Sequence, residues 1–155
     1  MIIRKGQLND LEEIQLLFVE TINNISKTDY SSEQINVWAS GIKNTQRWQD
    51  IVTKQVLIVA ENHAQITGFC SLDKGNYIDL LYVHKDYQRQ GIANKLYEHI
   101  EKAAIQAGQT ELKSDVSKTA KPFFEKVGFE VINEQIVIRQ GVELTNFKMT
   151  KNLIK

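Results

Sequence analysis

Apolar residues in the first third of the chain recur at the three- and four-residue intervals of a helix. From Asp10 to Ile25, Leu11, Ile14, Leu17, Phe18, Ile22 and Ile25 recur at helical spacing, with Asn9 or Asp10 placed to cap the start. The stretch "SSEQINVWASGI" predicts a second helix. Its Ser31 and Gln34 have the spacing of a capping box, and Ile35, Trp38 and Ile42 lie on one side. "RWQDIVTK" reads as a short third helix ending at Lys54. From Gln55 the period drops to that of strands. "QVLIVAE", "QITGFCSL" and "YIDLLYV" are separated by turns at Asn62 and His63 and at "DKGN", which predicts antiparallel strands joined by hairpins. On "YIDLLYV", strict alternation puts Tyr77, Asp79, Leu81 and Val83 on one face. A long helix is expected over residues 91–107, with Gly108 at its C-terminal cap. There follow a strand "TELKSDV", a short helix from about Thr119 to Gly128, and two closing strands around Gly141. With an N-terminal strand, this order mixes hairpins with a βαβ crossover. It predicts an α+β class, with helices on both faces of a twisted mixed sheet.

Composition narrows what such a fold does. At 155 residues the chain is expected to form one domain, 1–155, large enough to bury a core without disulfides. Lys plus Arg number 19 and so do Asp plus Glu, so the formal charge is zero, and neither a nucleic-acid nor a membrane partner is expected. An anion, if bound, must be held locally. The N-terminus lacks a charged-then-apolar leader and no apolar run approaches the ~20 residues of a membrane span, so a cytoplasmic location is expected. The single cysteine, Cys70, lies in an alternating stretch and reads as a packed strand residue. His63, His84 and His99 are far apart and form no ligand motif, so no metal site is expected.

Candidate chemistry concentrates in "DYQRQGIANKL", between a strand and the long helix. Unpaired backbone N–H groups at a helix start, at the positive end of its dipole, form a seat for an anion. Gly91 removes a Cβ that blocks close approach, Ala93 keeps the next turn slim, and Arg89 adds a charge suited to phosphate oxygens. Taken alone, the stretch fits either an anion cradle or an ordinary helix start. It contains no GxxxxGK[ST], and "QRQGIA" lacks two glycines of the dinucleotide fingerprint and follows a hairpin.

The remaining pattern, QxxGxA, resembles the signature loop of the GCN5-related N-acetyltransferase (GNAT) superfamily. "SKTAKPFFEKVGF" is similar to the NxxAxxxYxxxGF segment of the same superfamily, with Ser117 in place of Asn and Phe124 in place of Tyr. "DYSSEQINVW" and "RQGVELTNFKMTK" resemble a bacterial subgroup. The resemblance implies a sheet of about seven strands flanked by about four helices, with a V-shaped splay between the fourth and fifth strands. It implies acetyl-CoA as donor and a small-molecule or peptide amine as acceptor. The pantetheine arm is then expected along the backbone of Leu81, Tyr82 and Val83, in the manner of an added strand. The pyrophosphate falls on the amides of Gln88, Arg89, Gln90, Gly91, Ile92, Ala93 and Asn94. Ser117, Phe123 and Phe124 come to flank the cofactor.

The same resemblance places Tyr30, Trp38 and Tyr77 against the acceptor, although packing alone also accounts for Trp38. An acceptor amine of pKa ~10.4 must lose a proton before it attacks. Asp79, a carboxylate in an otherwise apolar strand, reads either as a base or substrate anchor or as a strand-end carboxylate bonded to a loop. Phe124 bears no hydroxyl where relatives have a proton donor. Three readings follow: Tyr82 supplies the proton, the thiolate of pKa ~8.5 leaves unaided, or transfer is slow or absent. The last makes a non-catalytic acyl-CoA sensor the competing function. The closing strands either complete the sheet of a monomer or pair across a homodimer.

Overall fold

The computed structural model describes residues 1–154, the side chain of Ile25 excepted. Strand β1 (Ile2–Lys5) leads through a turn at Leu8–Asp10 into α1 (Leu11–Ile25), followed by α2 (Ser32–Ala39) and α3 (Thr45–Lys54). Three strands come next, β2 (Val56–Asn62), β3 (Gln65–Asp73) and β4 (Tyr77–Val83). After them lie α4 (Ile92–Gln106), β5 (Glu111–Ser117), α5 (Lys121–Lys126), β6 (Glu130–Arg139) and β7 (Val142–Asn152). The described residues thus hold the five α-helices that the period predicts, one more than the about four that the resemblance implies; α2 and α3 are separated by a turn at Ser40–Lys43 and each has its own cap. At α2, Ser31 Oγ accepts from the Gln34 amide at 3.1 Å while Gln34 Oε1 accepts from the Ser31 amide at 2.9 Å, the reciprocal box the spacing predicts. At α1 the expected cap is replaced. The Asp10 carboxylate reaches back to the Gln7 amide at 2.7 Å and pairs with Arg4 on β1 at 2.9 Å.

One seven-stranded sheet runs β1-β2-β3-β4-β5-β7-β6, antiparallel except for the β4–β5 contact. Helices α1 to α3 cover one face through Ile14, Phe18, Ile22, Ile35, Trp48 and Ile51. On the other face α4 and α5 bury Leu96, Ile100 and Phe124 against Cys70, Leu72 and Leu112. The second strand of the closing hairpin is inserted beside β5, and β6 forms the sheet's edge with Ile132, Ile136 and Ile138 exposed. Among the described residues no helix is long and apolar enough to cross a membrane.

The alternation expected on β4 is broken by a bulge. Ser71 of β3 is opposite Leu80 and Leu72 is opposite Ile78, so Asp79 is an extra residue without a cross-strand partner. Ile78, Leu81 and Val83 consequently pack on the α4 face, whereas Leu80 and Tyr82 pack on the α1 face. Leu81 and Val83 share a side as expected, and the expectation that Asp79 shares it with them is corrected by this one-residue shift in register.

Candidate active site

Strands β4 and β5 touch at one register pair, Tyr77 and Lys113, and then part. Two bonds pin the vertex: the Lys113 amide donates to the Asn76 carbonyl at 2.8 Å, and Ser114 Oγ donates to the Ile78 carbonyl at 2.8 Å. Beyond them opens a cleft of about 660 Å³, with Leu80 to Val83 on one wall and Val116, Ser117 and Phe123 on the other. The His84 amide donates to the Thr67 carbonyl of β3. In an antiparallel ladder alternate residues face the partner, so Tyr82 turns its peptide groups toward β3 while Leu81 and Val83 turn theirs into the cleft. The Val83 carbonyl is already taken by Gln88 Nε2 at 2.5 Å. What the open edge offers is therefore the Leu81 N–H and C=O and the Val83 N–H.

The loop that follows is shaped by its own contacts. His84 Nδ1 accepts from the Asp86 amide at 3.1 Å, which starts a turn at Lys85–Tyr87, and Gln88 folds back on Val83 as above. Arg89 and Gly91 then take left-handed conformations, with φ of 60° and 80°. At Gly91 a Cβ would meet nothing within 4 Å, so the glycine serves the backbone turn and keeps the space before it clear. The first bond of α4 runs from the Lys95 amide to the Gly91 carbonyl, leaving the amides of Ile92, Ala93 and Asn94 without helical acceptors at the cleft mouth. Arg89, Gln90 and Gly91 are exposed, Ala93 lines the cleft, and Ile92 is anchored in the core. The Asn94 side chain is engaged with Glu98 at 3.0 Å, so at this position the backbone is what faces outward.

Across the cleft, α5 is held by Ser117 Oγ, which accepts from the Ala120 amide at 3.1 Å. Phe124 is buried edge-to-face on Phe129 and Phe123, with ring centroids 5.0 and 5.9 Å away. At the other end of the cleft the bulge sends Asp79 toward α3. Its carboxylate receives Arg47 Nη1 at 2.8 Å, Arg47 Nη2 at 3.0 Å and Gln55 Nε2 at 2.9 Å. Asn44 caps α3 by accepting from the Arg47 amide at 3.2 Å, so the cap sets where that guanidinium starts. The Asp79 hydrogen bonds hold the Arg47 pKa above its ordinary value. Arg47 is a site residue that sequence reading missed; it lies 32 positions from its partner and no motif links them.

Tyr82 is half-buried between Phe18 and Phe69, and burial pushes its hydroxyl pKa well up. The Trp38 indole partly opposes that rise. Tyr77 is pushed up by burial and by Asp115, to which its hydroxyl donates at 3.0 Å. Asp115 also accepts from Gln135 at 3.0 Å, a second lining carboxylate that sequence reading did not single out. Tyr30 lines the cleft with its ring, edge-to-face on Trp38 at 5.3 Å. Its hydroxyl is spent on backbone, donating to the Thr145 carbonyl at 2.7 Å and accepting from the Lys118 amide at 2.9 Å. The arrangement thus brings Tyr30, Trp38, Tyr77, Asp79 and Tyr82 to one end of the cleft and the loop at residues 88–94 to the other. Among the described residues no group of three or more His, Cys, Asp or Glu is placed to hold a metal ion.

Diverging strands leave an open edge that leads to the unpaired amides at the start of α4, an arrangement suited to an extended ligand with an anionic end. Residues 26–151 match the family described as acetyltransferase (GNAT) domain. The chain belongs to the GNAT acetyltransferase family and is an acyltransferase. It is 35% identical over 147 residues to the uncharacterized N-acetyltransferase YafP of Escherichia coli (strain K12), covering 95% of this chain and 93% of that protein. A GCN5-related N-acetyltransferase from Rhodopseudomonas palustris superposes with a TM-score of 0.94 at 32% identity, over 98% of this chain and 95% of that one. The PaiA N-acetyltransferase of Thermoplasma acidophilum, solved with coenzyme A, has the same fold, with a TM-score of 0.81 at 21% identity over 97% and 98% of the two chains.

Proposed function

We propose that the protein transfers an acetyl group from acetyl-CoA to a primary amine of a small molecule or peptide, by direct attack in a ternary complex. The observation that carries this reading is the continuity of the open β4 edge with the free amides of α4. Acetyl-CoA supplies an activated thioester when bound. The Leu81 and Val83 peptide groups hold its arm as an added strand, and the amides from Gln88 to Asn94, with Arg89, take the pyrophosphate. Ser117, Phe123 and Phe124 close the far wall and exclude water from the thioester.

Proton handling falls to β4. A tyrosine is protonated at neutral pH, and burial pushes the Tyr82 hydroxyl further in that direction, so it carries a hydrogen that the departing thiolate can take. This supports the catalytic reading over the sensor, since Tyr82 offers the donor that Phe124 lacks. Asp79 is engaged by Arg47 and Gln55, which favours an anchoring role over that of a free base. Tyr30, Trp38 and Tyr77 form the acceptor's apolar and aromatic surroundings.

Two measurements test the reading. Free thiol released from acetyl-CoA, followed across a broad amine panel, is expected with at least one acceptor; silence across the panel with donor binding intact would favour the sensor. Gly91→Glu and Arg89→Glu place a carboxylate where the pyrophosphate is seated, and each is expected to weaken acetyl-CoA binding by more than about thirtyfold. Undiminished affinity in both would remove the loop from the site.

A further inference from the structure

The charged residues lining the cleft are Arg47, Asp79, Asp115 and Arg139, and they are not equivalent. In the ion pair at the bulge, the Asp79 side chain is 12% exposed and that of Arg47 is 43% exposed. What an entering acceptor meets there is the guanidinium. Asp79 spends one oxygen on Nη2 and the other on Nη1 and Gln55, so its acceptor capacity is turned inward. The end-on pairing uses the fork between the two Nη atoms. Arg47 therefore keeps the second fork, along Nε and one Nη, which has the planar two-donor geometry that matches a carboxylate. No other hydrogen bond from this guanidinium occurs among the described residues. Arg139, from the opposite side, adds a cation with no ion pair among the described residues. Beyond Tyr77 lies the other pole: Asp115 is exposed and fixed by the Tyr77 hydroxyl and Gln135, a carboxylate that suits an ammonium.

We infer that the acceptor is an amine that also carries a carboxylate, of the size of an α-amino acid, with its carboxylate on the free fork of Arg47 and its ammonium toward Asp115. The inference rests on the transferase reading above and adds the substrate class. Asp79 is then a positioning residue: it aims Arg47 and cancels enough of its charge for a monoanion to bind reversibly. Attack by the deprotonated amine forms the new C–N bond as the C–S bond breaks. The proton that the adduct nitrogen sheds passes to water, the thiolate takes one from Tyr82, and the tyrosinate regains a proton from water.

The test uses pairs that differ in the carboxylate alone: tryptophan and tryptamine, tyrosine and tyramine, phenylalanine and phenethylamine, lysine and cadaverine. Each is titrated calorimetrically into the CoA-loaded protein, so binding is read without turnover. At least one acid is expected to bind at least about tenfold tighter than its amine, and the ratio is expected to fall within about threefold in Arg47→Gln while CoA affinity holds. Arg47→Lys is expected to keep part of the preference, having the charge without the fork. Since Arg47→Gln leaves Asp79 short of a partner, the pair Arg47→Gln with Asp79→Asn serves where the single variant fails to fold. Equal binding of acid and amine, an equal ratio in wild type and variant, or no binding of any member would overturn the inference. Thiol release then separates the two levels. Acids that bind but release no thiol sink the transferase reading and leave the recognition standing, whereas amines consumed faster than acids do the reverse.

Discussion

Tyr82 owes its proposed role to its neighbours: Phe18 and Phe69 bury the ring, and burial raises the hydroxyl pKa. If this hydroxyl protonates the thiolate, Tyr82→Phe lowers kcat by about a hundredfold and shifts the KM for acetyl-CoA by less than about threefold. An unchanged kcat would mean that the thiolate leaves unaided. The direction of the pKa shift adds a second expectation. A tyrosine titrating above its ordinary 10.0 stays a donor across the working range, so kcat/KM rises with pH as the acceptor amine deprotonates. No alkaline fall is expected below about pH 10, and a descending limb near neutrality would assign the proton to another group. Asp79 shows the limit of reading single residues. Its isolation among apolar neighbours marked it, but its partner and its direction were not visible, because both depend on Arg47 and on a bulge.

At the scale of elements, capping decides where site residues start. Asn44 and Ser31 each cap a helix through a side-chain oxygen, so replacement of either by Ala is expected to cost about 1 kcal/mol. The two differ in consequence. Asn44→Ala frees the turn that carries Arg47 and raises the acceptor KM, whereas Ser31→Ala lowers thermal stability with the acceptor KM unchanged; equal KM effects would uncouple the cap from the site. Gly91 is read in the same way. A Cβ there meets open space but a left-handed φ of 80°, so Gly91→Ala is expected to destabilise by about 1–2 kcal/mol while reducing acetyl-CoA affinity by less than about threefold. The contrast with Gly91→Glu separates backbone strain from obstruction. Elements were the most legible level of the sequence: the capping box, the three hairpin strands and the loop before α4 stand where period and turn residues put them. These signals are local, each needing a few consecutive residues. Helix α1 starts where it was expected, directly after Asp10, but without the side-chain capping bond, because the Asp10 carboxylate bonds to Arg4, a tertiary partner, in place of the helix it precedes.

For the whole molecule, the Arg4–Asp10 pair joins the first strand to the first helix, and Glu61 of β2 completes it at 2.7 Å from Arg4. Hydrogen bonding to Arg4 leads the causes that hold the Asp10 pKa below its ordinary 3.8. The folded protein therefore binds this proton more weakly than the unfolded chain does. Its contribution to stability is complete above about pH 4–5 and disappears as pH falls through the lower folded-state value. Asp10→Asn is expected to lower the midpoint of urea unfolding at neutral pH and to flatten its decline between about pH 5 and about pH 2. An identical acid profile in the variant would assign the acid sensitivity to other carboxylates.

The chain's order of residues determined by itself what depends on neighbours along it: the helical and strand periods, the hairpin turns, the α+β class, and the glycine loop whose pattern resembles the GNAT signature. The tertiary structure alone decided which faces those elements present. The bulge at Asp79 arises only when β3 pairs with β4, because an extra residue is defined by what it fails to oppose, and it moves Leu81 and Val83 to the α4 face while Tyr82 remains with α1. The splay of β4 from β5, and the Arg47–Asp79 pair formed across 32 positions, likewise exist only once the helices pack on the sheet. Contacts between distant segments are set by the mutual fit of buried surfaces, and no short window of sequence contains both sides of that fit.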